Sequence, residues 1–121
     1  VNTISDLGKA YESKPDLASA ERCYLKTLEV DSNNVMFLTD LARVYEKKGM
    51  PEKAEIQYNK VLRRDPNFWQ AKFGLGVIYY QRGRLDLSER LWLDVIRINP
   101  NYNDTYINLA VLYYYTQNFQ E

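Results

Sequence analysis

Three glutamates, Glu21, Glu55 and Glu89, stand in register at intervals of 34 residues. Carboxylates are common general acids and bases, so a repeated set invites a catalytic reading. The interval argues against it. Thirty-four residues put each glutamate on a different unit, on what is usually a solvated or inter-unit face, and a structural role is expected. Cys23 is the only cysteine, so no internal disulfide can form. The chain contains no histidine to activate that thiol, nor to serve as metal ligand or pH switch. Gly74-Leu75-Gly76 falls inside a helical pattern, where close packing explains it better than a phosphate loop. The charges Arg82, Arg84, Asp86, Glu89 and Arg90 read as an exposed helix edge. No catalytic residue, cofactor or metal is expected, and the chain is expected not to be an enzyme.

What must be positioned is therefore a surface, and composition limits its partners. The 121 residues suit one domain, 1–121; 45% are hydrophobic and 26% charged, which disfavours disorder. A formal net charge of +0 offers nucleic acid no basic footprint. The longest mostly apolar stretch, Ile107 to Tyr115, is far short of the roughly 18–20 residues of a bilayer span, so no membrane span is expected. The opening residues Val1-Asn2-Thr3 lack the pattern of a signal peptide.

The period organises the whole chain. Leu7-Gly8, Leu41-Ala42, Leu75-Gly76 and Leu109-Ala110 recur every 34 residues, each followed by a tyrosine: Tyr11, Tyr45, Tyr79 and Tyr113. This gives repeats 1–34, 35–68 and 69–102 and a partial unit, 103–121. Within a unit the apolar spacing is helical. Leu38, Leu41, Ala42, Val44 and Tyr45 form one amphipathic stripe. Gly49 can end that helix in the left-handed region, and Pro51 suits the first turn of the next. The second helix carries Ala54, Tyr58, Val61 and Leu62 until Asp65-Pro66 stops it. Gly83 and Asn99-Pro100 do the same in the third repeat; Lys14-Pro15-Asp16 and Asp31-Ser32-Asn33-Asn34 serve the first. Small residues (Gly8, Ala42, Gly76 and Ala110; Ala20, Ala54 and Ser88) face large ones (Tyr24, Tyr58 and Trp92), so that two helices can pack closely.

These columns resemble the tetratricopeptide repeat family. Leu41, Ala42, Tyr45, Ala54, Tyr58, Val61 and Pro66 match its pattern in the second repeat. Leu75, Gly76, Tyr79, Ser88, Trp92, Val95 and Pro100 match in the third; Leu7, Gly8, Tyr11, Ala20, Tyr24 and Leu28 match in the first. The departures are Thr27, Ser32 and Lys72, the last in a column otherwise held by Ile4, Leu38 and Tyr106. The resemblance implies an all-α fold, a right-handed superhelix of antiparallel helix pairs, whose first helices line a groove for a partner's peptide or helix.

Carried over column by column, the groove positions are Asn2, Ser5, Lys9, Glu12 and Ser13, then Met36, Thr39, Arg43, Glu46 and Lys47. They continue with Gln70, Phe73, Val77, Tyr80 and Gln81, then Asp104, Ile107, Val111, Tyr114 and Tyr115. The first half is polar and the second apolar. Phe73, Val77, Tyr80, Ile107, Val111, Tyr114 and Tyr115 are expected to form a partner-binding patch, with Asn108 placed to bond a ligand backbone. The alternative is that a further helix covers them as core. The family's carboxylate clamp is not matched: one register gives Ser5, Lys9, Asp40, Gln70 and Gly74, the other Thr39, Arg43, Gly74, Asp104 and Asn108. Its asparagine ladder reads Asp6, Asp40, Gly74 and Asn108, with one rung present. The helix of the partial unit resembles a buried helix at Leu109, Ala110, Leu112 and Tyr113 and is apolar on its groove side as well. It is therefore expected to be covered, by further chain, by a partner, or by a second copy in a homo-oligomer.

Overall fold

A computed structural model describes residues 16–120, with side chains described through residue 117. The first helix of repeat 1, with Leu7, Gly8 and Tyr11 and the groove positions from Asn2 to Ser13, lies outside the described residues. Among those described there are six helices and no strand. They are α1 (Leu17–Val30), α2 (Val35–Lys47), α3 (Pro51–Arg64), α4 (Trp69–Gln81), α5 (Leu85–Ile98) and α6 (Asn103–Gln120). The chain divides into two compact units, one ending at Pro66 and the other starting at Asn67.

In unit 1, Asp16 starts α1 by accepting the Ser19 amide at 3.2 Å. Asn34 starts α2 by accepting the amides of Met36 and Phe37 at 3.0 and 3.2 Å. Each cap satisfies donors that a helix leaves orphaned at its first turn. Gly49 reverses the chain at φ +75°. A Cβ there would meet nothing within 4 Å, so the requirement is conformational rather than steric. The turn lets α3 fold back on α2, burying Leu41, Ala42 and Val44 against Ala54, Tyr58 and Val61. Thr27, a departure from the Val61 and Val95 column, is 1% exposed and donates its hydroxyl to the Cys23 carbonyl at 2.9 Å. The hydroxyl is thus satisfied where a valine stands in the other repeats.

Glu21 explains the first member of the glutamate column. Lys48 pairs with its carboxyl, and Tyr45 bonds to it, which holds Glu21 below the ordinary carboxylate range. In unit 2 the same columns meet again: the Tyr113 hydroxyl donates to Glu89 Oε2 at 2.6 Å. In each case the glutamate is tied to the tyrosine 24 residues further on.

Unit 2 turns at Gly83, φ +78°, and packs α5 on α4. Here the small and large columns close to their limit. A Cβ on Gly76 would lie 2.2 Å from Trp92 Nε1, so even alanine is excluded unless the indole moves. Trp92 donates Nε1–H to the Phe73 carbonyl at 3.2 Å, and Ser88 donates to the Gly76 carbonyl at 2.8 Å. α6 packs on α5 through Leu109 and Leu112, which cluster with Trp92. Ala110 and Tyr113 depart from expectation: Ala110 is exposed and Tyr113 is 44% exposed. Their counterparts Ala42 and Tyr45 are buried because α3 packs back on α2; among the described residues no helix does this for α6.

Candidate partner-binding site

The heptad-like spacing of Phe73, Val77 and Tyr80 places them on one face of α4, and Ile107, Val111 and Tyr114 share one face of α6. The two helices flank a cleft of about 230 Å³ lined by Val77, Tyr80, Gln81, Trp92, Asn108 and Val111. Trp92 is only 2% exposed and belongs at once to the core and to the wall of the cleft. It also fixes its neighbours. The Tyr80 ring centroid lies 5.9 Å from the indole and that of Phe73 at 6.3 Å. Phe73 meets Tyr102 edge-on at 5.0 Å, and Tyr102 packs on Trp69 at 4.6 Å. Such tilted and edge contacts are the favoured arrangements of aromatic pairs.

The structure therefore sorts the expected residues into three groups. Val77, Tyr80, Asn108 and Val111 come together in the cleft. Phe73, on the same face of α4, is half-buried against Trp92 and does not line the cleft. Ile107, Tyr114 and Tyr115 project from α6, 60%, 64% and 49% exposed, and the two tyrosine rings meet edge-on at 5.6 Å. Sequence reasoning overlooked Trp92 as a lining residue because its column, shared with Tyr24 and Tyr58, reads as core. The width of indole relative to phenol was the available signal.

Chemically, the cleft offers apolar walls, two amides and one phenol, with no charged side chain in its lining. It can hold an apolar side chain while Asn108 or Gln81 bonds a neighbouring backbone. Among the described residues no group of three histidines, cysteines, aspartates or glutamates could hold a metal ion. None of their helices is long and apolar enough to cross a membrane.

The matching columns of unit 1 are different. Met36 is exposed, but Thr39 is buried, its hydroxyl donated to the Val35 carbonyl at 2.7 Å. Thr39 is thus not part of an open surface, contrary to expectation. Arg43 pairs with Asp40 at 3.1 Å. Glu46 is held by the Tyr58 hydroxyl, which, with Arg43, favours the carboxylate; burial outweighs both and pushes its pKa up to about 7. Its Oε1 is buried without a hydrogen-bond partner.

Paired helices repeating on a 34-residue period define a class of repeat proteins. The Tetratricopeptide repeat profile matches residues 5–67 and 39–103, and the chain belongs to that family. No curated protein matches it. Among solved structures it is similar to the crystal structure of MamA, with 27% identity and a TM-score of 0.78. That match covers 91% of this chain and 64% of MamA, so the chain spans about two thirds of that protein. It shares its fold with the first TPR of Spaghetti (RPAP3), a structure bound to the HSP90 peptide SRMEEVD. There the TM-score is 0.88 at 18% identity, over 98% of this chain and 94% of the other. The Sgt2 TPR domain from Aspergillus fumigatus gives a TM-score of 0.89 at 17% identity, over 98% and 80%.

Proposed function

We propose that this chain is a non-catalytic protein-interaction module. In this reading Phe73, Val77, Tyr80, Ile107, Asn108, Val111, Tyr114 and Tyr115 receive an apolar segment of a partner protein. The observation that carries the reading is the run of exposed apolar side chains on α6 beside a ready cleft walled by Trp92. Contiguous apolar surface of this kind marks interfaces. That a protein of the same fold, the first TPR of Spaghetti, was solved with a peptide bound supports the choice of ligand class.

The informative variants are the exposed residues, because Phe73 and Tyr80 also pack against the core. Peptides selected on the wild-type chain from a displayed library are expected to bind Ile107→Ser/Tyr114→Ser about tenfold or more weakly, at unchanged helicity. Equal affinity for the variant would remove the α6 surface from the proposal.

A second reading is self-assembly, favoured by the exposure of Ala110 and Tyr113 in columns that α2 buries. It expects mass to rise with concentration in sedimentation equilibrium. A strict monomer up to several hundred micromolar dismisses it.

A further inference from the structure

A second cleft lies in unit 1, away from the groove columns. Ser32 and Asn33 of the α1–α2 loop, Leu38 of α2, and Lys60, Arg63 and Arg64 of α3 line an opening of about 460 Å³. The three cations stand at i, i+3 and i+4, on one face of α3, where like charges repel. All three are exposed, and among the described residues none forms an ion pair. Arg63 and Arg64 suit the last turn of a helix, where the backbone dipole favours positive charge. Lys60 lies a turn further in, beyond the reach of that effect.

Unit 2 shows what such a place holds when it is complete. One period on, Asp94 stands at the position of Lys60, Arg97 at that of Arg63, Lys72 at that of Leu38 and Asn67 at that of Asn33. Asp94 receives Lys72 Nζ at 2.5 Å and Arg97 Nε at 3.2 Å, and Arg97 Nη2 reaches Asn67 at 3.5 Å. These partners hold the Asp94 carboxyl below its ordinary value. Two cations there share a carboxylate that the chain itself supplies. Unit 1 retains the arginine of that column, adds Lys60 and Arg64, and has a lysine where the carboxylate would be. The one nearby acid of the loop, Asp31, already accepts the Asn34 amide at 3.0 Å and does not line the cleft.

We propose that this cleft binds an acidic side chain of a partner peptide, whose carboxylate takes the place that Asp94 fills in unit 2. Guanidinium groups present paired donors suited to a carboxylate. Leu38 gives the cleft an apolar element that a neighbouring residue of a peptide can use and a bare anion cannot. The site is independent of the α4/α6 surface: it sits on other helices and selects for charge rather than apolar bulk.

The test uses a fluorescein-labelled hexapeptide, Leu-Glu-Glu-Leu-Glu-Glu, and its counterpart with glutamine for glutamate, read by anisotropy on the full chain. The acidic peptide is expected to bind, more weakly as salt screens the charges, and to shift the amide resonances of Ser32, Asn33, Lys60, Arg63 and Arg64. Lys60→Asp supplies the carboxylate within the chain and is expected to weaken binding by about tenfold. Lys60→Ala gives a smaller loss at a residue whose exposure makes misfolding no concern. Unchanged affinity in both variants, or equal binding of the glutamine peptide, would overturn the proposal. Inorganic phosphate producing the same resonance shifts while the peptide binds nowhere would overturn it too, assigning the cleft to a free anion. The Ile107→Ser/Tyr114→Ser variant is expected to bind this peptide normally, which separates the two sites.

Discussion

The two units use the same columns and fill them with opposite chemistry. In unit 1 Glu46 pairs with Tyr58, a carboxyl held by a phenol; one repeat later the same positions are Tyr80 and Trp92, two rings tilted by 32°. The small partner changes in step. Ala42 suffices beside Tyr58, whereas Gly76 is required beside Trp92, whose indole occupies the space of a Cβ. Lys60 in one unit answers to Asp94 in the other, so one leaves cations open where the other closes them. One repeat pattern thus carries a polar, titratable set of side chains and an apolar one on helices whose bounds recur 34 residues apart. The columns that set helix packing vary little between the units, and those that set surface chemistry vary freely.

Swapping residues across that comparison tests it, and the largest effect is expected at the tightest contact. Gly76→Ala copies unit 1 into unit 2 but overlaps the indole, and a destabilisation of about 1–3 kcal/mol is expected in chemical denaturation. Gly76→Ala combined with Trp92→Tyr restores the unit 1 pairing and is expected to recover part of the loss. An additive double variant would show that the columns are not coupled. Ser88→Ala copies the Ala54 column and removes the hydrogen bond to the Gly76 carbonyl, for a loss of about 1 kcal/mol.

Glu46 gives unit 1 a pH dependence. Its carboxyl titrates near 7 in the fold against an ordinary value of 4.5. Between those values the native state binds the proton more tightly than the unfolded chain, so stability falls as pH rises through that window. Glu46→Gln is expected to stabilise by about 1 kcal/mol at pH 8, after allowance for partial solvent screening. The gain should vanish near pH 4, where the carboxyl is protonated in both states. A gain that does not change with pH would move the cause away from titration. The smallest effect is expected for Thr27→Val, which copies the Val61 and Val95 column. The lost hydroxyl bond and the gained apolar burial nearly cancel, and the melting temperature should move by no more than a few degrees, corresponding to about 0.5 kcal/mol.

Much of the fold was legible in the sequence because its signals are local. The proline at position 51, the left-handed glycines, and Asp65 and Asn99 before proline act within a few residues, and the helices begin and end where they predict. The small and large columns were legible too, since close approach of two helices needs a missing side chain opposite a large one. The surface was harder to read. Trp92 was assigned to the core alone, although its width brings it to the wall of the cleft. Thr39 and Phe73 occupy equivalent groove columns, yet Thr39 is buried and Phe73 is half-buried against Trp92. The open cations of α3 were not legible in the sequence, because it is the matching place in unit 2 that shows a carboxylate among those columns.

By itself, the sequence determined the period, the helix pairs, their stops and the family to which the chain belongs. Apolar residues at helical spacing inside a 34-residue repeat, broken by glycine and proline, specify paired helices. Only the tertiary structure decided which faces are open. α2 and α6 carry nearly the same pattern, yet Ala42 is buried and Ala110 is exposed. Periodicity says that a face is able to pack; whether it does depends on which helix lies across it.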